Sequence, residues 1–325
     1  MLNKAYIFPM KDIDKLNKEN PYLSNFVNSL SEHLEITNYG KKSYGFIDVY
    51  SYFFQSKIFF LNWVENIKFY NVPFFIVFIF LGKCFNKKII WTHHNLEPHD
   101  GGTFSSRLIL NILKKYSTNI LIHTKESYYS FDSRYHDKLI YLKHPFFDSL
   151  NYKEEIKSYD LLIWGAMRKS KGVKEFFQFL KDTNTKDLKI LLVGKFQDDI
   201  YYQEVLKLIE NNHNIKIENR FVEESEFYTI HHICKKIVFI YNGSSVLNSG
   251  ALIKSLASGI PIIGPNRGAF IDYSNLGLVD VFNSYEDLLQ LINQKSLENR
   301  LIVLDNLVVQ NNWNNFALAL IKNLN

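Results

Sequence analysis

The chain of 325 residues is 46% hydrophobic and 22% charged, enough for two cores of roughly 150 residues each and unlike a tail or linker. A net charge of +5, without a basic helix or an aromatic RNA-binding motif, excludes nucleic acid as the expected partner. Two cysteines, Cys84 and Cys234, exclude a disulfide scaffold or a cysteine zinc cluster.

The N-terminus, MLNKAYIFPM, lacks the apolar core of a signal peptide, and the longest apolar run, 72–81, is well short of the roughly 20 residues that span a bilayer. A cytoplasmic location is expected, at most peripheral on the inner face of the cell membrane. Residues 1–150 hold 18 Lys and Arg against 13 Asp and Glu, the rest 20 against 20. That uneven excess suits an anionic partner or peripheral contact with an anionic membrane surface.

Periodicity predicts a strand at 5–8 and an amphipathic helix at 21–34 with Tyr22, Phe26, Leu30 and Leu34 on one side. Short apolar strands follow at 46–49, 57–61, 88–91, 119–122 and 139–142, with helices at 73–85, 104–116 and 127–133. The helix at 73–85 is apolar almost all round, and a buried helix is preferred over an interfacial membrane contact. The pattern lapses at 147–159, read as a linker, and then restarts. Strands are expected at 160–164, 188–193, 215–217 and 237–240, and helices at 171–180, 201–211 and 224–234. Next comes a helix carrying Leu247, Ala251, Leu252, Leu256 and Ala257, capped by Asn248 or Ser249 and stopped by Gly259 and Pro261. A strand at 261–264, a weaker one at 278–281, helices from 285 and a long final helix over 301–324 complete the chain.

Strands alternating with helices predict an α/β protein of two Rossmann-like, doubly wound parallel-sheet domains. The expected boundaries are 1–152 and 153–304, with 305–325 returning as a helix to the first domain. Ligands of such sheets lie at the carboxyl ends of the strands, so a cleft between the domains is the default site.

Three stretches carry the candidate chemistry. After the first strand of the second domain, GAMRKSKGV puts Arg168, Lys169 and Lys171 behind a turn at Gly165, cations suited to a diphosphate. Ser249 and Gly250 begin a helix whose first N–H groups attract phosphate. Between them, the backbone of Phe221 and Val222 either receives a flat base or simply leads into a capped helix, and Tyr241 and Asn242 follow a strand. No GxGxxG or GxxxxGK[ST] is present.

In the first domain WTHHNLEPHDGG crowds His93, His94, Glu97, His99 and Asp100 onto one loop, without HExxH spacing. A member of this cluster acting as general base on a hydroxyl is favoured over structural loop polarity, and no metal is expected. NPY at 20–22 opens the first helix, and LNWVEN ends a strand with Trp63 and Glu65. Trp63 reads equally as core or as a sugar platform.

Taken together, NPY, the NW.E strand end, HHNLEPHD, GAMRKSKG, FVEESEFY and LNSGALIKSLASGIPIIGPNRGAF make the whole chain resemble GT-B glycosyltransferases, in particular bacterial polysaccharide and glycolipid enzymes related to family 4. The resemblance implies that Lys171 and Arg168 bind the donor diphosphate, and Ser249 and Gly250, with Asn248, the distal phosphate. It places the reacting sugar or acceptor at the His94 to Asp100 loop. Gly165, Phe221, Val222 and Tyr241 complete the expected donor site; Glu65, Glu97 and His99 are acceptor-site candidates. One departure stands out. Where retaining family-4 enzymes carry two glutamates eight positions apart, this chain has Val246 and Lys254, and where they carry an arginine it has Ala166.

The implied activity is transfer of a sugar from a UDP- or GDP-linked donor to a hydroxyl of a glycan, lipid-linked in surface polysaccharide or glycolipid synthesis. It requires no metal or cofactor, with Asp100 as first and His94 as second candidate base and inversion favoured over retention. Two alternatives remain: a nucleotide-sugar epimerase of the same fold, and a non-catalytic nucleotide-sugar binding protein.

Overall fold

The computed structural model describes residues 3–10, 20–94, 103–242, 247, 249–294 and 299–324. It divides into two compact units, Met1–Phe147 with Asn311–Asn325, and Asp148–Gln310.

The first unit runs β1 (Lys4–Phe8), α1 (Pro21–Ser31), β2 (Glu35–Ile36), β3 (Ile58–Asn62), α2 (Val72–Cys84), β4 (Lys88–His93), α3 (Phe104–Tyr116), β5 (Asn119–Ile122), α4 (Lys125–Tyr129) and β6 (Leu139–Tyr141). Its six strands are all parallel in the order β2-β1-β3-β4-β5-β6. Successive residues enter opposite cores: Ala5, Ile7, Phe60, Ile90 and Leu121 pack under α1 and the C-terminal helix Trp313–Leu324, while Tyr6, Phe59, Trp91 and Ile120 pack under α2 and α3. A sheet covered on both faces explains why these strands read as nearly continuous apolar runs.

The second unit runs β7 (Tyr159–Trp164), α5 (Val173–Asp182), β8 (Ile190–Val193), α6 (Asp199–Ile209), β9 (Ile215–Glu218), α7 (Phe227–His232), β10 (Cys234–Val238), α8 (Gly250–Leu256), β11 (Ile262–Pro265), α9 (Gly268–Ser274), β12 (Val279–Phe282), α10 (Tyr285–Asn293) and α11 (Arg300–Gln310). These strands are also parallel, in the order β12-β11-β10-β7-β8-β9. The connection direction reverses between β7 and β10 in this sheet and between β1 and β3 in the other. Crevices at the carboxyl ends of those pairs are where doubly wound sheets take ligands.

Four expectations are corrected. The strand expected at 46–49 is a 3-10 helix, Phe46–Tyr50, entered through Gly45 at φ 115°. There the Asp48 carboxylate accepts from the Tyr44 N–H at 2.6 Å and the Ser43 hydroxyl at 2.9 Å, closing a turn that apolar spacing does not reveal. The single helix expected over 301–324 breaks at Asn311 and Asn312. Asn311 is tied to His144 O and Phe146 N, and Asn312 Oδ1 accepts from Asn315 N at 2.9 Å, restarting the helix. The expected helix 171–180 starts later, at Val173, because 169–171 form a 3-10 turn closed by Gly172 at φ 71°. Finally, α2 is not buried all round: Val72, Phe75, Phe78, Ile79 and Gly82 are covered, but Phe74, Ile76, Val77 and Phe80 face solvent.

Candidate functional site

In the second unit the β7/β10 crevice brings together segments 70 residues apart. β7 ends in Trp164, and Gly165 turns the chain at φ 107°. Gly172 closes the loop against the end of β10: a Cβ there would lie 2.1 Å from Ile240 O, and Asn242 N donates to Ser170 O at 3.3 Å. Only glycine permits that approach and that backbone. Gly194 has the same role on the other side, where a Cβ would lie 1.9 Å from Gly165 O.

Held this way, Lys171 lies with Nζ 3.7 Å from the centroid of the Tyr241 ring. The Tyr241 hydroxyl shares a 3.1 Å hydrogen bond with Ser249 Oγ, which accepts from Leu252 N at 3.2 Å as the cap of α8. Tyr241 thus joins the lysine loop to the helix start. Arg168 precedes the 3-10 turn and is exposed, while Lys169 turns away to Asp198 at 3.6 Å. The Ser249 hydroxyl is buried and bonded on two sides, to the Tyr241 hydroxyl and to Leu252 N. Gly250 is the exposed position, with nothing within 4 Å of where a Cβ would stand. Asn248 lies outside the described residues.

Phe221 is exposed and follows β9, and its carbonyl already accepts from Arg220 Nη1 at 3.1 Å. Arg220 also clamps Glu218 and Glu226, fixing the segment before α7. Val222 is half-buried in the same segment. Lys254 pairs with Glu224 and sits 4.5 Å from the Phe227 ring.

In the first unit the carboxyl ends of β3, β4, β5 and β6 collect Asn62, His94, His123 and His144 around Tyr22 and Trp63. His94 stacks on Trp63 with centroids 4.0 Å apart and planes at 8°. Tyr22 meets His94, His123 and His144 edge-on at 4.9, 5.5 and 5.1 Å. Trp63 adopts φ 47°, a left-handed backbone that non-glycine residues take at some strain and that collects at functional sites. Tyr22 itself is placed by α1, where Asn20 caps Leu23 N at 3.1 Å and Pro21 opens the helix.

The proton positions follow from fixed acceptors. Leu142 O can only accept, so His123 donates from Nδ1 at 2.7 Å and its Nε2 receives the Tyr22 hydroxyl at 2.8 Å. Phe8 O likewise takes the Asn62 amide at 3.3 Å, turning Asn62 Oδ1 to His94. His94 therefore donates from Nε2 at 3.4 Å and carries its lone pair on Nδ1. Burial, reinforced by neighbouring imidazoles, holds His94 well below its ordinary value, so it is neutral at neutral pH and a weak base. Burial also pushes His144 down to about 3 and His123 to about 4. Asp100, Glu97 and His99 lie outside the described residues.

Glu65, after β3, is buried, and its Oε2 meets no hydrogen-bond partner among the described residues. Burial pushes its carboxyl up to about 7. The folded unit holds the proton more tightly than the unfolded chain, so the stability this adds is present below pH 4.5 and lost as pH rises through about 7. Glu65→Gln is expected to gain about 2–3 kcal/mol over wild type between pH 5 and pH 8, measured by urea unfolding at both values. A difference independent of pH would sink this reading of Glu65.

His123 and His144 were not among the expected site residues. Their positions just past the β5 and β6 strands were the available signal, but an isolated histidine at one strand end is uninformative until neighbouring ends are aligned.

No protein-family model matches the sequence, and no curated protein is similar to it. Among solved structures, the chain is similar to sucrose-phosphate synthase from Thermosynechococcus elongatus, with a TM-score of 0.69 and 10% identity over 99% of this chain and 98% of that one. It is similar to a glycosyltransferase from Rickettsia africae ESF-5, with a TM-score of 0.63 and 13% identity over 99% and 97%. Staphylococcus aureus TarM, solved in complex with Fondaparinux, alpha-GlcNAc-glycerol and UDP, matches with a TM-score of 0.56 and 13% identity over 82% of this chain. The chain spans 55% of that TarM chain's length. At such low identity these likenesses establish the fold: two parallel α/β units of the GT-B glycosyltransferase type.

Proposed function

We propose that the protein is a glycosyltransferase that moves a sugar from a nucleoside-diphosphate donor, UDP- or GDP-linked, to a hydroxyl of a glycan acceptor. The observation that carries this reading is the chain Lys171, Tyr241, Ser249 at the β7/β10 crevice. It sets a cation beside the exposed start of α8, where a leaving diphosphate would be stabilised by a preorganised charge. The UDP complex of TarM supports a nucleotide donor for this fold.

On this reading Lys171 and Arg168 take the diphosphate, Gly250 leaves room for its distal end, and the Phe221–Val222 segment borders the base. The first unit's strand ends, with Trp63 and Glu65, receive the acceptor sugar. Asp100 is the first candidate base and His94, neutral with its lone pair on Nδ1, the second; we favour inversion, without a metal. The acceptor is proposed to be lipid-linked and met at the cytosolic membrane face.

A thermal-shift panel of UDP, GDP and their sugars tests the donor site. One nucleotide series should raise the melting temperature, by about 2.7 kcal/mol of stabilisation at a hundredfold excess over its dissociation constant. No response to any nucleotide would sink the proposal. Normal turnover by Asp100→Asn would remove the first base assignment, and the anomeric configuration of the product, by NMR, decides inversion.

A further inference from the structure

The outer half of α2 is the feature that neither sheet nor site explains. Phe74, Ile76, Val77 and Phe80 are between 43% and 65% exposed, and Phe69 in the preceding turn is 75% exposed. At 100° per residue these helix positions share one side, with Lys83 at its margin. Scattered exposed apolar residues are ordinary, but an apolar face unbroken over positions 74–80, about 9 Å of helix, and continued by Phe69 is not.

Along α2 and α3 themselves the charge has one sign. Segments 66–94 and 103–125 contain no Asp or Glu and eight Lys and Arg. α3 packs beside α2, and Lys83, Lys115 and Lys138 converge near their ends. Lys83 Nζ and Lys115 Nζ lie 5.5 and 5.2 Å from the Tyr116 ring, and Lys138 Nζ donates to Lys115 O at 2.7 Å. Burial, and then the nearby Lys83 ammonium, hold Lys138 below its ordinary value.

We propose that the exposed face of α2, with Lys68, Lys83 and Lys115 beside it, docks onto an anionic lipid bilayer. Aromatic and aliphatic side chains enter the headgroup boundary while the ammonium groups remain at the lipid phosphates. A second copy of this chain is the poorer occupant. Two-fold pairing would set the patch against itself, lysine facing lysine with no carboxylate on either helix. Docking rests on this face and not on the transferase reading, so loss of vesicle binding with nucleotide binding intact, or the reverse, separates the two.

The test is sedimentation of the full chain with vesicles of phosphatidylcholine alone and of phosphatidylcholine doped with phosphatidylglycerol. Partitioning should be at least about tenfold stronger on the anionic vesicles and should weaken with salt. Val77→Ser with Phe80→Ser should abolish it. Lys83→Gln with Lys115→Gln should reduce anionic binding about 10- to 30-fold, and supplies the test should the apolar pair lower the melting temperature. Absence of binding, equal binding to both vesicle types, or binding indifferent to both pairs would overturn the proposal. So would a concentration-dependent dimer that Phe80→Ser dissociates, which would assign the face to a second copy.

Discussion

Lys171→Met is expected to lower kcat/KM for sugar transfer by about 10²–10³-fold, equivalent to about 3–4 kcal/mol of lost transition-state stabilisation. The size follows from position. Lys171 is fixed by a loop that Gly172 presses against Ile240 and by the Tyr241 ring 3.7 Å away, so its charge is already in place when the diphosphate leaves. Three comparisons make the expectation specific. Lys169→Met, two residues earlier, removes a cation that is 72% exposed and paired with Asp198, and should leave turnover within about twofold. Tyr241→Phe keeps the ring but drops the hydroxyl bonded to Ser249, so it should cost about tenfold or less. Arg168→Met, lacking such a clamp, should weaken UDP or GDP affinity more than the chemical step. Titration calorimetry with the nucleotide, alongside turnover, separates these effects. A Lys171→Met protein with unaltered nucleotide affinity and turnover would remove the crevice from the mechanism.

Acid is expected to unfold the first unit before the second. His93 and His144 are pushed by burial to about 3 and His123 to about 4, and His94 is lowered further by the imidazoles around it. Each is neutral in the fold and takes up a proton on unfolding. The stability associated with their depressed values is therefore intact above pH 6.5 and lost as pH falls from there toward 4 and 3. The loss is about 1.4 kcal/mol per pH unit for each histidine, so His93, His123 and His144 alone remove about 4 kcal/mol per unit. Glu65 works in the opposite sense over part of this range, but by only about 2–3 kcal/mol in total. Against a typical domain stability of about 5–15 kcal/mol, the first unit should unfold within about two to three units below pH 6.5. In the second unit His231 is the described histidine lowered in this way, to about 3. Trp63, Trp91 and Trp313 report on the first unit and Trp164 on the second, so fluorescence of a Trp164→Phe variant follows the first alone. His144→Asn should reduce the proton uptake by about one. Unfolding free energies unchanged between pH 7 and pH 4.5 would contradict the neutral, buried cluster.

Much of the fold was legible because parallel α/β structure writes itself locally. Apolar runs such as 119–122 and 160–164, buried on both faces, alternate with amphipathic segments such as 104–116, whose bounds coincide with α3. Glycines were legible as turns. That Gly172 must be glycine because Ile240 O lies where its Cβ would be was not, since that contact joins residues far apart in the chain. Segments 46–49 and 301–324 misled for a related reason. Apolar spacing does not register a carboxylate closing a turn at Asp48, or an asparagine pair whose partners lie at His144 and Phe146.

The sequence by itself determined which residue types follow each strand: lysines after β7, tyrosine after β10, histidines after β4, β5 and β6. Tertiary structure alone decided which of them meet. Parallel pairing aligns the strand ends, so that Lys171, Tyr241 and Ser249 become one connected group and His94, His123 and His144 another. It also decided that half of α2 stays uncovered, because helical periodicity defines the sides of a helix while burial depends on what distant segments are packed against each side.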